Sequence, residues 1–263
     1  MIKLSQFAHY SEFKFRNIDS ERYQLYIVNT ESTETDRKYG VTSKLEIDDS
    51  YQIPLFKAKT KERNSFDIEF TRASRDLEYP LPMPEEYRDE ILAWLEYDEP
   101  QPLEVNGILY YGCFTNYQGW DNHNLMGVMK FTFEMSDYYA YTPVDINTYD
   151  LIHKNYMYID LANKSNIRKD APLDIVFKAN EDGDFKITNN RNGQVYIQKD
   201  VLKNEIIRIY GETHEVVCLN NENKNVFKNK DGDWIKLSYG INRLKLEGHG
   251  IFTIEYQTPL GLR

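Results

Sequence analysis

Apolar and polar residues alternate along most of this chain, and this alternation limits its fold more than any other feature of the sequence. Phe66, Ile68 and Phe70, for example, alternate with Asp67 and Glu69. Successive side chains of a β-strand point to opposite faces of the sheet, so a period of two is typical of strands that bury one face. The 263 residues are therefore predicted to form a mainly β protein.

The strongest local signal is a hairpin turn at Asn106-Gly107, because a two-residue primed turn needs positive φ at both central positions. Two longer strands are predicted at residues 113–117 and 128–135, with residues 119–127 as the loop between them. Shorter strands are predicted at residues 23–27, 45–47 and 66–70.

One α-helix is predicted over residues 85–97, directly after Pro84. Ile91, Trp94 and Leu95 follow helical spacing, and acidic residues occupy the first turn, where the helix dipole favours negative charge. Because the aromatic stripe lies on one face, Trp94 is predicted to be a core residue.

A domain boundary is predicted near Val144, where the alternation is lost and the charge balance changes. Residues 1–145 hold 26 acids and 15 bases, whereas residues 146–263 hold 16 acids and 17 bases. The second half contains eight short strand patterns separated by turn pairs such as Asp182-Gly183 and Asp231-Gly232, and it has no helical pattern. This spacing is typical of a β-sandwich of jelly-roll type. The predicted strands are residues 174–177, 185–187, 195–197, 206–209, 216–219, 234–237, 243–246 and 251–256.

Charge and motif content argue against several functional classes. A net charge of −10 does not fit a protein that tracks nucleic-acid phosphates or binds an anionic membrane. The five histidines are scattered, Cys113 and Cys218 form no zinc pattern, and neither a phosphate-binding loop nor a nucleophile elbow occurs. We therefore expect no enzyme activity, cofactor, metal or membrane insertion, and we expect both cysteines to be buried thiols. A glycan hydrolase that uses two of the many acids is a minor alternative.

The N-terminal region resembles the opening of phage distal tail proteins. That family shows a pattern F-x-G-x-x-S-x-x-[FY]-G-L before its first strand. This chain matches the pattern with Phe15, Ser20, Tyr23 and Leu25, and it places Asn17 and Gln24 at the two glycine positions.

Later segments follow the same family in the same order. Residues 63–70 resemble its belt strand, residues 91–95 its single helix, and residues 130–141 the aromatic end of its first domain. Leu237 to Leu244 resembles the L-x-x-G-x-N-x-[IL] pattern of its galectin-like domain. The chain thus resembles the siphophage distal tail protein (Dit) family over almost its whole length. The expected fold is an N-terminal β-sandwich-like ring domain with one α-helix, residues 1–145, and a C-terminal galectin-like jelly-roll β-sandwich, residues 146–263.

The resemblance implies a structural role at the virion tail tip, after synthesis and assembly in the host bacterial cytoplasm. The expected assembly is a homo-hexameric ring that joins the major tail (tube) protein to the tail-associated fibre or lysin protein. The ring would surround an opening for the tape-measure protein and for DNA, which passes without specific binding. A receptor-binding protein is a further candidate partner, and a carbohydrate-binding module for host cell-wall glycans is the alternative function.

Candidate site residues follow from these expectations. The expected subunit contacts are Phe66, Ile68, Phe70, Tyr138 and Tyr139. Glu96, Asp98 and Glu99 are candidates for the channel wall, with an exposed helix face as the alternative. Trp234 and Tyr239, and also Tyr256, are candidates for stacking on a sugar.

Overall fold

A computed structural model describes residues 10–28, 43–48, 55–61, 65–75, 81–123 and 126–261. The chain divides into two compact units, the first comprising Met1–Tyr141 with Gly261–Arg263 and the second Thr142–Leu260. The division falls close to Val144, where the sequence predicts the boundary. Both units are built mainly from antiparallel strands, and the described residues contain a single α-helix, so the predicted fold class is confirmed.

The first unit contains eleven described strands and one helix. They are β1 Tyr10–Ser11, β2 Phe13–Phe15, β3 Ile18–Asp19, β4 Leu25–Val28, β5 Ser43–Asp48, β6 Leu55–Lys61, β7 Ser65–Arg72, α1 Glu85–Leu95, β8 Gln101–Val105, β9 Ile108–His123, β10 Met126–Met135 and β11 Ala140–Tyr141. Nine of these strands belong to one sheet: eight follow the order β1-β4-β7-β10-β9-β8-β2-β3, and β11 pairs with β9 beside this path. β5 and β6 pair separately.

The central hairpins of this sheet follow the sequence signals. Asn106 and Gly107 have φ values of 51° and 70°, and Val105 pairs with Ile108 across the turn, so the predicted hairpin is confirmed. The predicted loop at residues 119–127 is wrong, because β9 runs to His123 and β10 begins at Met126. The hydrogen bonds between the two strands join main-chain groups, so the hairpin can extend through a segment whose side chains do not alternate between apolar and polar.

Helix α1 buries Ile91, Trp94 and Leu95, and Trp94 makes its aromatic contacts. The helix begins after Pro84, which cannot donate a backbone hydrogen bond and suits this end of a helix, and it carries Glu85 and Glu86 in its first turn. Trp94 is 5% exposed, and its ring lies 4.6 Å from the ring of Tyr23 and 5.6 Å from that of Phe13. The predicted core position of Trp94 is confirmed.

The N-terminal pattern shared with the distal tail family has a structural explanation. Ser20 is fully buried, and its Oγ accepts a hydrogen bond of 3.1 Å from the Phe13 backbone N–H. Tyr23 ends a short 3-10 helix rather than starting a strand as predicted, and β4 begins at Leu25. Asn17 and Gln24, at the two glycine positions, have φ values of 61° and 48°. Both positions therefore need the left-handed conformation that glycine adopts without cost.

Gln24 allows a direct test of this backbone requirement. Gln24→Gly and Gln24→Ala both remove the side-chain oxygen that accepts a hydrogen bond from Arg72. Only alanine keeps a Cβ at positive φ, so we expect the glycine variant to be the more stable by about 1 kcal/mol. Urea unfolding measures the difference, and equal midpoints would contradict the proposed strain.

The second unit contains thirteen strands. They are β12 Asp145–Asp150, β13 Tyr156–Asn163, β14 Ala171–Pro172, β15 Asp174–Ala179, β16 Gly183–Asn189, β17 Val195–Val201, β18 Ile206–Tyr210, β19 Glu215–Cys218, β20 Lys230–Gly232, β21 Lys236–Leu237, β22 Gly240–Glu247, β23 Gly250–Tyr256 and β24 Pro259–Leu260. Two five-stranded sheets have the orders β12-β23-β15-β18-β19 and β13-β22-β16-β17-β20. β14 and β21 form a separate pair.

The two five-stranded sheets enclose one hydrophobic core. Phe177 and Phe252 of the first sheet meet Phe185 of the second, with the Phe177 ring 4.3 Å from that of Phe185. Inward residues alternate with outward ones in β23, as expected for a sandwich. The predicted jelly-roll type of sandwich agrees with this architecture.

Some details of the second unit differ from the sequence prediction. Strands β12 and β13 were not predicted. Pro143 and the polar residues that follow it obscure the pattern of β12, whereas β13 was overlooked. The predicted strand 234–237 is reduced to Lys236–Leu237, and the Asp231-Gly232 turn pair lies in β20, where Gly232 has a φ of 77°. Cys218 is buried as predicted, whereas Cys113 is only half-buried.

Candidate interaction surfaces

Strand β7 lies between β4 and β10, which determines where its apolar residues point. Ile68 is 5% exposed and Phe70 is fully buried. Phe66 is half-buried, with ring centroids 5.5 Å from Tyr110 and 5.4 Å from Phe133. Ile68 and Phe70 therefore pack inside the first unit, so the surface that β7 can offer to a second subunit consists of part of Phe66 and of its alternate, polar residues.

The polar face of β7 carries a network of charged and hydroxyl groups. Lys130 Nζ lies 3.5 Å from Asp67 and 3.7 Å from Glu69, and Thr132 Oγ1 donates a 2.8 Å hydrogen bond to Asp67. Gln118 Nε2 also donates to Asp67. Because exposed pairs of this kind contribute little to stability, the face can exchange these contacts for others without great cost.

Tyr138 and Tyr139 lie between β10 and β11 and are half-buried. Asp137 organises this segment: its carboxylate accepts hydrogen bonds from the Tyr138 backbone N–H, at 2.5 Å, and from the Tyr141 hydroxyl. Part of each tyrosine is at the surface, and their role in a subunit contact remains a prediction.

Glu96, Asp98 and Glu99 are exposed and lie directly after the end of α1. The last turn of the helix has no basic residue, and its carbonyl groups present partial negative charge to the acids. Glu96 and Asp98 also border a surface depression of about 500 Å³. This placement opposes the helix dipole, so it does not serve helix stability.

The proposed sugar-stacking residues of the second unit differ in accessibility. Trp234 is half-buried: its ring is stacked on His214 with centroids 5.0 Å apart, and Lys230 Nζ lies 4.7 Å from its centroid. Tyr256 is 7% exposed and donates a hydrogen bond to Asp145, and its burial together with that carboxylate raises the pKa of Tyr256 to about 12. Tyr239 is 45% exposed. Of the three, Tyr239 has the most exposed side chain.

Buried amides fix the loop that carries Tyr239. Asn242 is fully buried, and its Nδ2 donates to the carbonyl oxygens of Ser238, at 2.6 Å, and Gly240, at 2.9 Å. Its Oδ1 accepts from the Ser238 backbone N–H and from Asn189 Nδ2. Gly240 has a φ of 90°, which explains the glycine of the L-x-x-G-x-N-x-[IL] pattern, and the hydrogen bonds of Asn242 explain the asparagine.

A second group of exposed aromatic residues, not predicted from the sequence, lies on β13. Tyr156 and Tyr158 on β13 are 54% and 46% exposed, with ring centroids 5.7 Å apart. Lys245 Nζ lies 5.0 Å from the Tyr156 ring, and the Arg243 guanidinium lies 5.1 Å from the Tyr158 ring. The alternation of Tyr156 and Tyr158 with Met157 and Ile159 is the signal that would have revealed the strand.

The described residues include no group of three or more His, Cys, Asp or Glu side chains placed to hold a metal ion. Within the same residues, no helix has the length and apolarity to cross a membrane.

Comparison with known proteins identifies the second unit. Residues 164–259 match the family model described as the C-terminal domain of the siphovirus-type tail component. The second unit is therefore similar to a siphovirus-type tail component C-terminal domain. The resemblance to the distal tail protein family is thus confirmed, and the second unit has the expected sandwich of jelly-roll type. No curated protein matches the sequence.

Solved structures extend the likeness beyond the tail-component domain to both units. The crystal structure of the SPP1 Dit protein, described as a paradigm of the hub adsorption apparatus in phages that infect Gram-positive bacteria, is similar with a TM-score of 0.62. The likeness covers 95% of this chain and 98% of that one, at 10% sequence identity. A chain of the phage P2 baseplate in its activated conformation with Ca is similar with a TM-score of 0.51 at 10% identity, over 98% of both chains. The baseplate with Sr gives a TM-score of 0.50 at 9% identity, over 94% of this chain and 97% of that one. These likenesses show a shared fold.

Proposed function

We propose that this chain is a structural hub protein of a phage tail tip, and a component of the virion rather than an enzyme. The observation that supports the proposal is the joint likeness of both units: the second matches the tail-component family, and the fold of nearly the whole chain is that of the SPP1 Dit hub. A hub requires no catalytic constellation, and it requires surfaces that bind several protein partners.

The proposed assembly is a homo-hexameric ring, and we propose that the first unit forms it. Rings are closed by heterologous contacts repeated about an axis, and half-buried aromatic residues such as Tyr138 and Tyr139 are suitable contact residues. The proposed partners are the tail tube protein, the tail-associated fibre or lysin protein and the tape-measure protein, with a receptor-binding protein as a candidate on the second unit. DNA would pass through the opening without specific binding.

Separate expression of the two units tests this division of roles. A cut between Tyr141 and Thr142 keeps β12 intact, and we expect both pieces to fold because each has its own core. In native mass spectrometry, the first piece should form hexamers and the second should remain a monomer. If the second piece alone formed the ring, the assigned roles would be reversed.

We also propose that Glu96, Asp98 and Glu99 face the opening of the ring. Cationic groups on a channel wall would bind phosphates and release counterions, and would hold DNA in place, whereas a negative wall lets it pass. The position of these acids after the C-terminal end of α1 supports a purpose other than helix stability, because the dipole disfavours them there.

Lysine at these three positions tests the proposed channel wall. In the phage, the Glu96→Lys, Asp98→Lys and Glu99→Lys combination should leave tail assembly and adsorption intact and slow genome ejection. The isolated protein should gain roughly 0.3–1 kcal/mol of stability from lysine beside the helix C-terminus, so a folding defect should not confuse the result. Unchanged ejection kinetics would contradict the proposal that these residues line the channel. Lysine at Glu85 and Glu86, at the other end of α1, provides a control.

A further inference from the structure

One end of the tail-component domain combines exposed cations with an exposed aromatic ring. Three loops meet there, at residues 164–170, 190–193 and 237–241. Asn163 Nδ2 joins two of them by donating 2.8 Å hydrogen bonds to the carbonyl oxygens of Lys169 and Leu237. Asn189 joins the third, because its Nδ2 donates to the Lys236 carbonyl and its Oδ1 accepts from the Arg191 backbone N–H. We refer to the three loops as the loop end.

Buried polar side chains hold the loop end in place. Asn163, Ser165, Asn189 and Asn242 are each at most 1% exposed, and their side chains bond loop backbone or one another. Buried amides satisfied in this way hold a loop in one conformation. A surface that is already ordered loses little conformational entropy when it binds a ligand, which favours affinity.

The charge of the loop end is opposite to that of the whole chain. Within the three loops the exposed charged residues are Lys164, Arg168, Lys169, Asp170 and Arg191. Four cations and one acid give a local net charge of +3, in a chain whose net charge is −10. Such a concentration of positive charge attracts anions, and added salt weakens this attraction.

Arg168 and Tyr239 lie close to each other on two of the three loops. The Arg168 guanidinium lies 5.7 Å from the centroid of the Tyr239 ring, which is 45% exposed. Arg168 also has a φ of 56°, an unfavourable conformation for a residue with a side chain. Backbone strain of this kind clusters at functional sites, where the rest of the structure maintains it.

We propose that the loop end binds an anionic polysaccharide. The flat face of Tyr239 suits the C–H face of a sugar ring, and Arg168, Arg191 and the neighbouring lysines pair with carboxylate or phosphate groups along the polymer. Arg191 already donates through Nη1 to the Ile241 carbonyl at 3.0 Å, which positions its remaining N–H groups. Such a site would add direct contact with a surface glycan to the role of a hub, and it does not depend on ring formation.

Titration calorimetry of the full-length protein with three defined polymers tests the proposal. The probes are polygalacturonate, which carries carboxylates, poly(glycerol phosphate), which carries phosphates, and neutral dextran. We expect binding to at least one of the two polyanions, no binding to dextran, and weaker binding as salt is raised. The polyanion that binds identifies the anionic group. Absence of binding to both polyanions at low salt, or equal binding to dextran, would overturn the proposal.

Variants separate a defined site from general attraction. We expect Tyr239→Ala and Arg168→Gly each to weaken polyanion binding about tenfold, which corresponds to about 1.4 kcal/mol. Tyr158→Ala, at a tyrosine of matched exposure, and Lys203→Gln, at an exposed lysine outside the three loops, should each leave affinity within about twofold.

Arg168→Gly carries a second readout, because glycine removes the strain at positive φ. The variant should unfold at a higher urea concentration while binding less polyanion. If the two control variants lost as much affinity as Tyr239→Ala and Arg168→Gly, binding would reflect general attraction between the polyanion and the protein. This result would contradict a defined site at the loop end. If Arg168→Gly lowered stability instead, its loss of binding would reflect damage to the fold. Tyr239→Ala would then be the test: with an unchanged unfolding midpoint, weaker binding supports the site and unchanged binding contradicts it.

Discussion

Replacing Trp94 with alanine is expected to destabilise the first unit by about 3–5 kcal/mol, the range for removing a buried aromatic residue. Trp94 is 5% exposed and is the residue through which α1 packs on Phe13, Phe15 and Tyr23. Its loss would leave a cavity bounded by rings that cannot all move inward. Urea unfolding followed by circular dichroism should show a lower midpoint for the first unit and an unchanged transition for the second.

Trp94→Phe is the matched control. The indole Nε1 of Trp94 is buried and has no hydrogen-bond partner among the described residues. An unpaired buried donor costs about 1–3 kcal/mol, so phenylalanine removes a penalty while it loses some packing area. We expect this variant to lose less than half as much stability as the alanine variant. Equal losses would mean that the helix is held by contacts other than the aromatic stacking.

Replacing Asn242 with alanine is expected to destabilise the second unit by about 2–4 kcal/mol, because several backbone groups would lose their partners in a buried site. The amide bonds the backbone of Ser238 and Gly240 and also contacts Asn189. Hydrogen exchange should become faster across residues 236–241, and the urea midpoint of the second unit should fall.

Asn192→Ala is the corresponding control for the same loops. Asn192 bonds the Lys236 carbonyl and the hydroxyl of Ser238, but it is exposed, so water can replace its contacts. We expect its effect to stay within about 0.5 kcal/mol. A loss for Asn192→Ala as large as that for Asn242→Ala would contradict the view that burial makes the asparagine of the family pattern important.

Period-two alternation was sufficient to predict the fold class and most of the strands, because one buried face gives each strand a clear pattern. The alternation did not predict the structure where main-chain pairing, exposure or backbone conformation determines it. β9 continues to His123 and β10 begins at Met126 because their main chains pair there, and β12 is too exposed to show alternation. Tyr23 was assigned to a strand because its apolar ring matches the pattern, yet the positive φ of Gln24 separates the 3-10 helix from β4.

Side-chain roles were harder to predict than elements. Phe66, Ile68 and Phe70 have the composition of an interface strand, but the position of β7 between two neighbouring strands places two of them in the core. Trp234 and Tyr239 looked equivalent in the sequence, whereas His214 and Lys230 cover part of Trp234 and the buried asparagines hold Tyr239 at the surface. Both outcomes depend on residues distant in sequence, which local patterns do not reveal.

The measurement that tests the hub proposal most directly is electron microscopy of the purified full-length protein at tens of micromolar, alone and mixed with its tail tube protein. We predict particles with six-fold rotational symmetry around a central opening, either as single rings or as two rings stacked back to back. A protein that remains strictly monomeric under both conditions would contradict the account.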